Sequence, residues 1–220
     1  MIVFVTVLCL PWRVQVLAQD NKRPADANRG AVIVAQGAAG APACAACHAF
    51  DGTSDTTGAF PRIDGQSASY LEQQMRDFAS SDRMNAIMSP IARALSASDI
   101  ADVAEFYANR SSQLLPLASA DAAIVKKGQQ LAQEGDVGKG ILGCNNCHGP
   151  DGQGMPPMPY LAGQYAKYTA FTLHMWKGGL RKNSPDLMAP IAKQLDDQEI
   201  AAVAAYYQQV RTPAGTVGSK

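Results

Sequence analysis

The sequence predicts an all-α protein built as two tandem copies of one small domain, and three observations carry that prediction. A Cys-x-x-Cys-His run occurs twice, as Cys44-Ala45-Ala46-Cys47-His48 and as Cys144-Asn145-Asn146-Cys147-His148. A Met-x-Pro-Ile-Ala segment follows each run, Met88 to Ala92 and Met188 to Ala192, and 40 residues separate His from Met in both halves. Apolar residues elsewhere recur at helical spacing, and no stretch alternates as a half-buried strand does.

Each half begins and ends on a helix signal. Asn28 to Gln36 and Ala122 to Glu134 read as opening helices, and Ser67 to Phe78 is repeated as Tyr165 to Trp176. Ser96 with Asp99, and Asp196 with Glu199, stand at N-cap and N3 as capping boxes for the closing helices. Behind them Ile100, Val103, Ala104 and Tyr107 form one apolar face, matched by Ile200, Val203, Ala204 and Tyr207; ordinary core packing accounts for both stripes. Other matches run through the halves: Gly30 and Gly37 with Gly128 and Gly135, Asp51-Gly52 with Asp151-Gly152, and Gly65-Gln66 and Tyr70 with Gly163-Gln164 and Tyr168. The domains divide as 1–18, a secretory signal; 19–112, the first helical domain; 113–121, a linker; 122–211, the second domain; and 212–220, a flexible tail rich in Gly, Thr and Ser.

The paired motifs carry the chemistry. Two thiols at Cys-x-x-Cys spacing each form a thioether to a haem vinyl group, and the adjacent His supplies an axial nitrogen to iron. Cys44, Cys47, Cys144 and Cys147 are thus expected to attach two haem c groups covalently, with His48 and His148 on the metal. Disulfides or zinc are the plainer fates of four cysteines, but a His directly after each pair is superfluous for tetrahedral zinc. The sixth ligand decides between a carrier and a catalyst. Met75, Met84 and Met88 are candidates in the first half, and Met155, Met158, Met175 and Met188 in the second. Only Met88 and Met188 keep both the interval and the surrounding sequence, so they are expected as thioether ligands, on loops because the Pro two residues on discourages helix. The carbonyls of Pro61 and Pro159 are placed to accept the N–H of the proximal imidazoles, although a simple turn proline explains both equally well. Arg62, Tyr70, Tyr168 and Trp176 are candidates for contact with haem propionates or for plain packing. His174 has no counterpart in the first half and reads as a surface or interface histidine.

Composition narrows the function. Formal net charge is zero and only 17% of residues are charged, which excludes a nucleic-acid partner. From Asp20 to Ser112 eight basic residues face eleven acidic ones, and from Asp121 to Lys220 ten face eight, a mild dipole. Ile2 to Leu10 is too short an apolar run to span a membrane, and Val16-Leu17-Ala18 resembles a cleavage site, so export to the periplasm is expected. Cys9 belongs to that segment. Leu114-Leu115-Pro116-Leu117 lies in a linker expected to pack rather than flap.

Together, the two motifs, the Pro/Gly/Gln segment after each and the Met-x-x-Ile-Ala-x-x-Leu segment before each last helix resemble the dihaem cytochrome c4 family. The likeness runs from about Asn28 to Val210. It implies two class I cytochrome c domains joined with pseudo-twofold symmetry, and an electron carrier rather than an enzyme. It also implies single electrons passed from a quinol-oxidising complex or dehydrogenase to a terminal oxidase, with peripheral association to a membrane complex. A subunit dedicated to one periplasmic dehydrogenase is chemically the same carrier. A dihaem redox enzyme needs an open iron position, which the matched methionines oppose, and no acid–base cluster stands beside either motif. One position departs from the family pattern: the Gly after the haem His is Gly149 in the second half but Ala49 in the first.

Overall fold

The structure is a computed structural model that describes residues 23–55, 57–111, 120–184 and 186–211. The signal segment, most of the linker and the tail expected from the sequence lie outside those residues. In the first half α1 (Ala27–Gln36) is followed by α2 (Ala45–His48), α3 (Ala68–Ser80), α4 (Met88–Ala94) and α5 (Ala97–Ala108). The second half repeats the order with α6 (Ala122–Gln133), α7 (Asn145–His148), α8 (Ala166–Lys177), α9 (Met188–Gln194) and α10 (Asp197–Gln209).

Local chemistry explains the boundaries. Asp26 and Asp121 cap α1 and α6 by accepting from the second and third helical N–H groups, and both closing helices start in complete capping boxes. The opening and closing helices of each half cross at a glycine. A Cβ on Gly30 would meet the carbonyl oxygen of Asp102 at 2.1 Å, and one on Gly128 would meet that of Ala202 at 2.0 Å. Only glycine lets the two backbones approach so closely. Of the stripes read from the sequence, Tyr107 packs at this crossing with Val34 and Phe106, and Val203 and Tyr207 with Leu131 and Ala132, while Ile100 and Ile200 pack with Leu95 and Leu195. Asp102, fully buried, binds Arg23, Arg29 and the backbone N–H of Asp26, which fastens the segment before α1 to α5.

Two expectations need correction. Met88 and Met188 do not sit on loops but are the first residues of α4 and α9. Proline two residues on is compatible with this, because a first-turn N–H has no helical partner to lose. Asn85 Oδ1 accepts from the N–H of Met88 at 2.8 Å, and Ser184 Oγ accepts from that of Met188 at 3.4 Å. The second half also contains a two-residue antiparallel pairing, β1 (Gly135–Asp136) with β2 (Ile141–Leu142), which no alternation in the sequence announced. Gly135 and Cys144 stand two residues further apart than Gly37 and Cys44, and the pairing folds up that extra length.

Replacing Gly128 with Ala tests the close crossing. Intrinsic helix propensity favours Ala by up to about 1 kcal/mol. The clash with Ala202 should outweigh that and destabilise the protein by about 2 kcal/mol or more, read as a lower urea midpoint.

Candidate functional site

The sequence places two thiols and an imidazole on a single helical turn, and the structure folds that turn identically in both halves. Cys44 and Cys144 are the N-caps of α2 and α7, and His48 and His148 end them. The backbone N–H of each His donates to the carbonyl of its Cys, at 2.9 and 3.0 Å. Among the described residues the four motif cysteines form no disulfide; Cys44, Cys47 and Cys144 are half-buried and Cys147 is exposed. Burial pushes the thiols of Cys44 and Cys144 up.

Each imidazole is buried and oriented. His48 Nδ1 lies 3.2 Å from the carbonyl oxygen of Pro61, and His148 Nδ1 lies 2.8 Å from that of Pro159. A carbonyl oxygen only accepts, so Nδ1 carries the proton and Nε2 is left with a free lone pair. Burial lowers both histidines below the ordinary range, partly countered by the carbonyl bonds, so both rings are neutral. The prolines come into place because the chain after each motif turns back on itself. Gly52 accepts through its carbonyl from Ile63, at 2.9 Å, and Gly152 accepts from Leu161, at 2.6 Å. Ala49 adopts the same unusual backbone as Gly149, φ 57° and ψ 164° against 79° and 163°. The departure from the family pattern therefore changes strain at the turn, not its shape.

Among the candidate methionines, Met84 and Met155 are exposed, Met75 packs against the Ile33–Leu95–Ile100 core, and Met188 packs half-buried against the Leu173–Trp176 core. Met88 is half-buried. His174 is exposed on α8.

The remaining candidates meet between the domains. The Tyr168 hydroxyl accepts from Arg83 at 2.5 Å, Tyr70 from Arg181 at 3.5 Å, and Arg181 stacks on Trp176 at 3.7 Å. Arg62 pairs with Asp64 and donates to the carbonyl of Gly163 across the interface. Sequence reasoning missed Arg83, Arg181, Gln74, Asp77 and Asn183. Gln74 accepts from Arg83, Arg181 and Asn183, and Asn183 also donates to Asp77 at 2.6 Å. The spacing of Arg83 and Arg181, 98 residues, equals that of Tyr70 and Tyr168, and was the available signal. Burial raises Tyr168, but the two guanidiniums outweigh it and hold the phenol below its usual range. Arg181 is itself lowered by burial and by Arg83.

A cytochrome c family model matches residues 27–110 and 125–211. Cytochrome c4 of Pseudomonas aeruginosa is 36% identical over 79% of this chain and 87% of its own length. The chain belongs to the dihaem cytochrome c4 family. Crystalline reduced cytochrome c4 from Pseudomonas stutzeri superimposes with a TM-score of 0.75 at 31% identity, covering 84% of this chain and 99% of that one. A further relative, a thiosulfate dehydrogenase electron acceptor of Stutzerimonas stutzeri, is 40% identical over 84% of this chain and 88% of its own. As a family member the protein carries two covalently attached haem c groups and acts as a dihaem electron carrier that exchanges electrons with redox-partner proteins. The residues fit that group: paired free thiols, a neutral imidazole with an uncommitted Nε2, and, in the second half, the buried Tyr160 hydroxyl and Thr169 Oγ1, which have no hydrogen-bond partner. Among the described residues no helix is long and apolar enough to cross a membrane.

Ala49 in a glycine conformation stores strain of about 1–3 kcal/mol. Ala49→Gly should raise the urea midpoint by releasing part of it, whereas Gly149→Ala should lower the midpoint, each with haem content unchanged.

Proposed function

We propose that Cys44 and Cys47 hold one haem and Cys144 and Cys147 the other. His48 with Met88, and His148 with Met188, would be the protein ligands of the two irons. The observation that carries this is the repeated proximal arrangement, a buried imidazole with Nδ1 on a proline carbonyl, combined with a Met the same 40 residues beyond it. A c-type haem supplies reversible one-electron chemistry at iron. The protein's part is to fix the proximal ring, exclude water from it, and close the far side with a soft thioether that favours the ferrous form. With both positions closed, the function is electron carriage without substrate chemistry.

The carrier is exported to the periplasm and takes single electrons from a quinol-oxidising complex or a dehydrogenase, passing them to a terminal oxidase. One observation favours a specific donor as a second reading: the 40% identical relative is named as the electron acceptor of thiosulfate dehydrogenase.

Three outcomes test these readings. Purified wild-type protein should hold two covalent haems, and its reduced spectrum should not change with carbon monoxide. Met88→Ala or Met188→Ala should open only the corresponding haem to carbon monoxide; unchanged ligation in both variants would refute the axial assignment. For the donor, stopped-flow mixing with thiosulfate-reduced thiosulfate dehydrogenase should reduce the oxidised protein at least about tenfold faster than mixing with a reduced quinol-oxidising complex. The reverse ranking would place the protein in the quinol chain.

A further inference from the structure

We infer that Gln66 and Gln164 each tune the reduction potential of the haem in the opposite domain, by acting through the peptide group that holds that domain's proximal histidine. This rests on His48 and His148 being the proximal ligands.

The peptide between Pro61 and Arg62 has a partner at each end. Its carbonyl accepts from His48 Nδ1 at 3.2 Å, and its N–H donates to Gln164 Oε1, in the other domain, at 3.0 Å. The peptide between Pro159 and Tyr160 is used the same way. Its carbonyl accepts from His148 Nδ1 at 2.8 Å, and its N–H donates to Gln66 Oε1 at 3.2 Å. Each proximal ring is thus joined, through a single amide, to a side chain of the other domain. The two connections are related by the internal repeat, since Gln66 and Gln164 stand 98 residues apart, as do Arg62 and Tyr160.

The glutamines are held so that oxygen must face the peptide N–H. Gln164 Nε2 donates to the carbonyl of Arg62 at 2.9 Å, and Gln66 Nε2 reaches that of Tyr160 at 3.5 Å. Each Oε1 also accepts from the next residue's N–H, Tyr165 for Gln164 and Ser67 for Gln66. Both side chains are 5% exposed, so water does not compete for these bonds.

Amide resonance makes the two ends of a peptide interdependent. An acceptor on the N–H shifts electron density toward the carbonyl oxygen, and hydrogen bonds in series strengthen one another by ~10–30%. A more negative carbonyl draws the Nδ1 proton harder, and the ring becomes a stronger donor through Nε2. A stronger nitrogen donor stabilises ferric iron over ferrous and lowers the potential. Removing the glutamine acceptor should therefore raise the potential, and it should do so in the opposite domain. Gln66 and Gln164 are positioning residues, since neither touches the iron.

The test is spectroelectrochemical titration of the full-length holoprotein as Gln164→Met and Gln66→Met, with each haem assigned through the spectra of Met88→Ala and Met188→Ala. Gln164→Met should raise the first-domain potential and leave the second unchanged, and Gln66→Met should do the reverse. The ferrous-to-ferric ratio of the affected haem at a fixed applied potential should rise several-fold, where tenfold corresponds to about 59 mV. In the ferrous protein the ring N–H proton of the same histidine should move upfield. Loosening of the interface alone would move both haems together or the haem of the substituted domain, and either pattern overturns the inference, as does no shift. Where the Met variants do not fold, Gln164→Glu serves, because it keeps an oxygen on the N–H of Arg62. Its first-domain potential should stay at or below that of wild type, and a rise would refute the relay. Carbon monoxide binding by the reduced wild-type protein would overturn the methionine assignment alone, because this inference depends only on the proximal histidines.

Discussion

A neutral imidazole buried in each half, its Nδ1 proton committed to a backbone carbonyl, is the constraint on which the rest of the molecule depends. A buried ring must satisfy that N–H or lose one to three kcal/mol, roughly the cost of an unpaired buried donor. A local carbonyl is out of reach, because the ring leaves the end of a one-turn helix pointing inward. The chain therefore has to return 11 or 13 residues later with a carbonyl aimed at it. That return explains the glycine-type backbone at residues 49 and 149, the bonds to the carbonyls of Gly52 and Gly152, and the buried tyrosines of the closing helices. Tyr107 Oη donates to the carbonyl of Ala49 at 3.1 Å, and Tyr207 Oη bonds Asn145 at 2.8 Å, so each closing helix braces the motif loop.

The same returning segments build the domain interface, which is polar where a permanent interface is usually apolar. Arg62, Arg181, Gln66, Gln74, Asp77 and Gln164 are all buried there. Buried charges and amides contribute little net stability, since each bond replaces one to water, but they fix direction and register. Repeat-related residues have also diverged. Asn85 caps the helix of Met88, whereas Asn183, 98 residues on, bonds across the interface to Gln74 and Asp77, leaving Ser184 beside Met188. Asp77 itself corresponds to Met175, so the acid that accompanies the two arginines comes from the first domain alone.

What could be read from the sequence was whatever is local or duplicated. Helix type, the capping boxes, the crossing stripes and the Cys–His turns all follow from spacings of a few residues, and duplication checked each one. The Met segments were legible as positions but not as conformation, because proline was weighed as a helix breaker when its place in the first turn makes it harmless. The short pairing of residues 135–136 with 141–142 is too brief to alternate. The interface was least legible. Its bonds join residues about a hundred positions apart, and no periodicity within a helix reports which face meets another domain. Only the matched spacing of Arg83 with Arg181 and of Gln66 with Gln164 held the information.

Reciprocal bonding has a consequence for a carrier with two sites. Electron exchange between them depends on a fixed separation, and a small interface between similar domains ordinarily permits relative motion. Here two of the bonds that join the domains start from Arg62 and Tyr160, the residues next to the carbonyls that hold the proximal rings. A displacement of one domain cannot stretch the Gln164 bond without pulling on the peptide bonded to His48, and the twin connection carries the same strain to His148. The bonds that join the domains and the bonds that orient the proximal rings thus share the same two peptide groups, which couples the environment of each site to the position of the other domain.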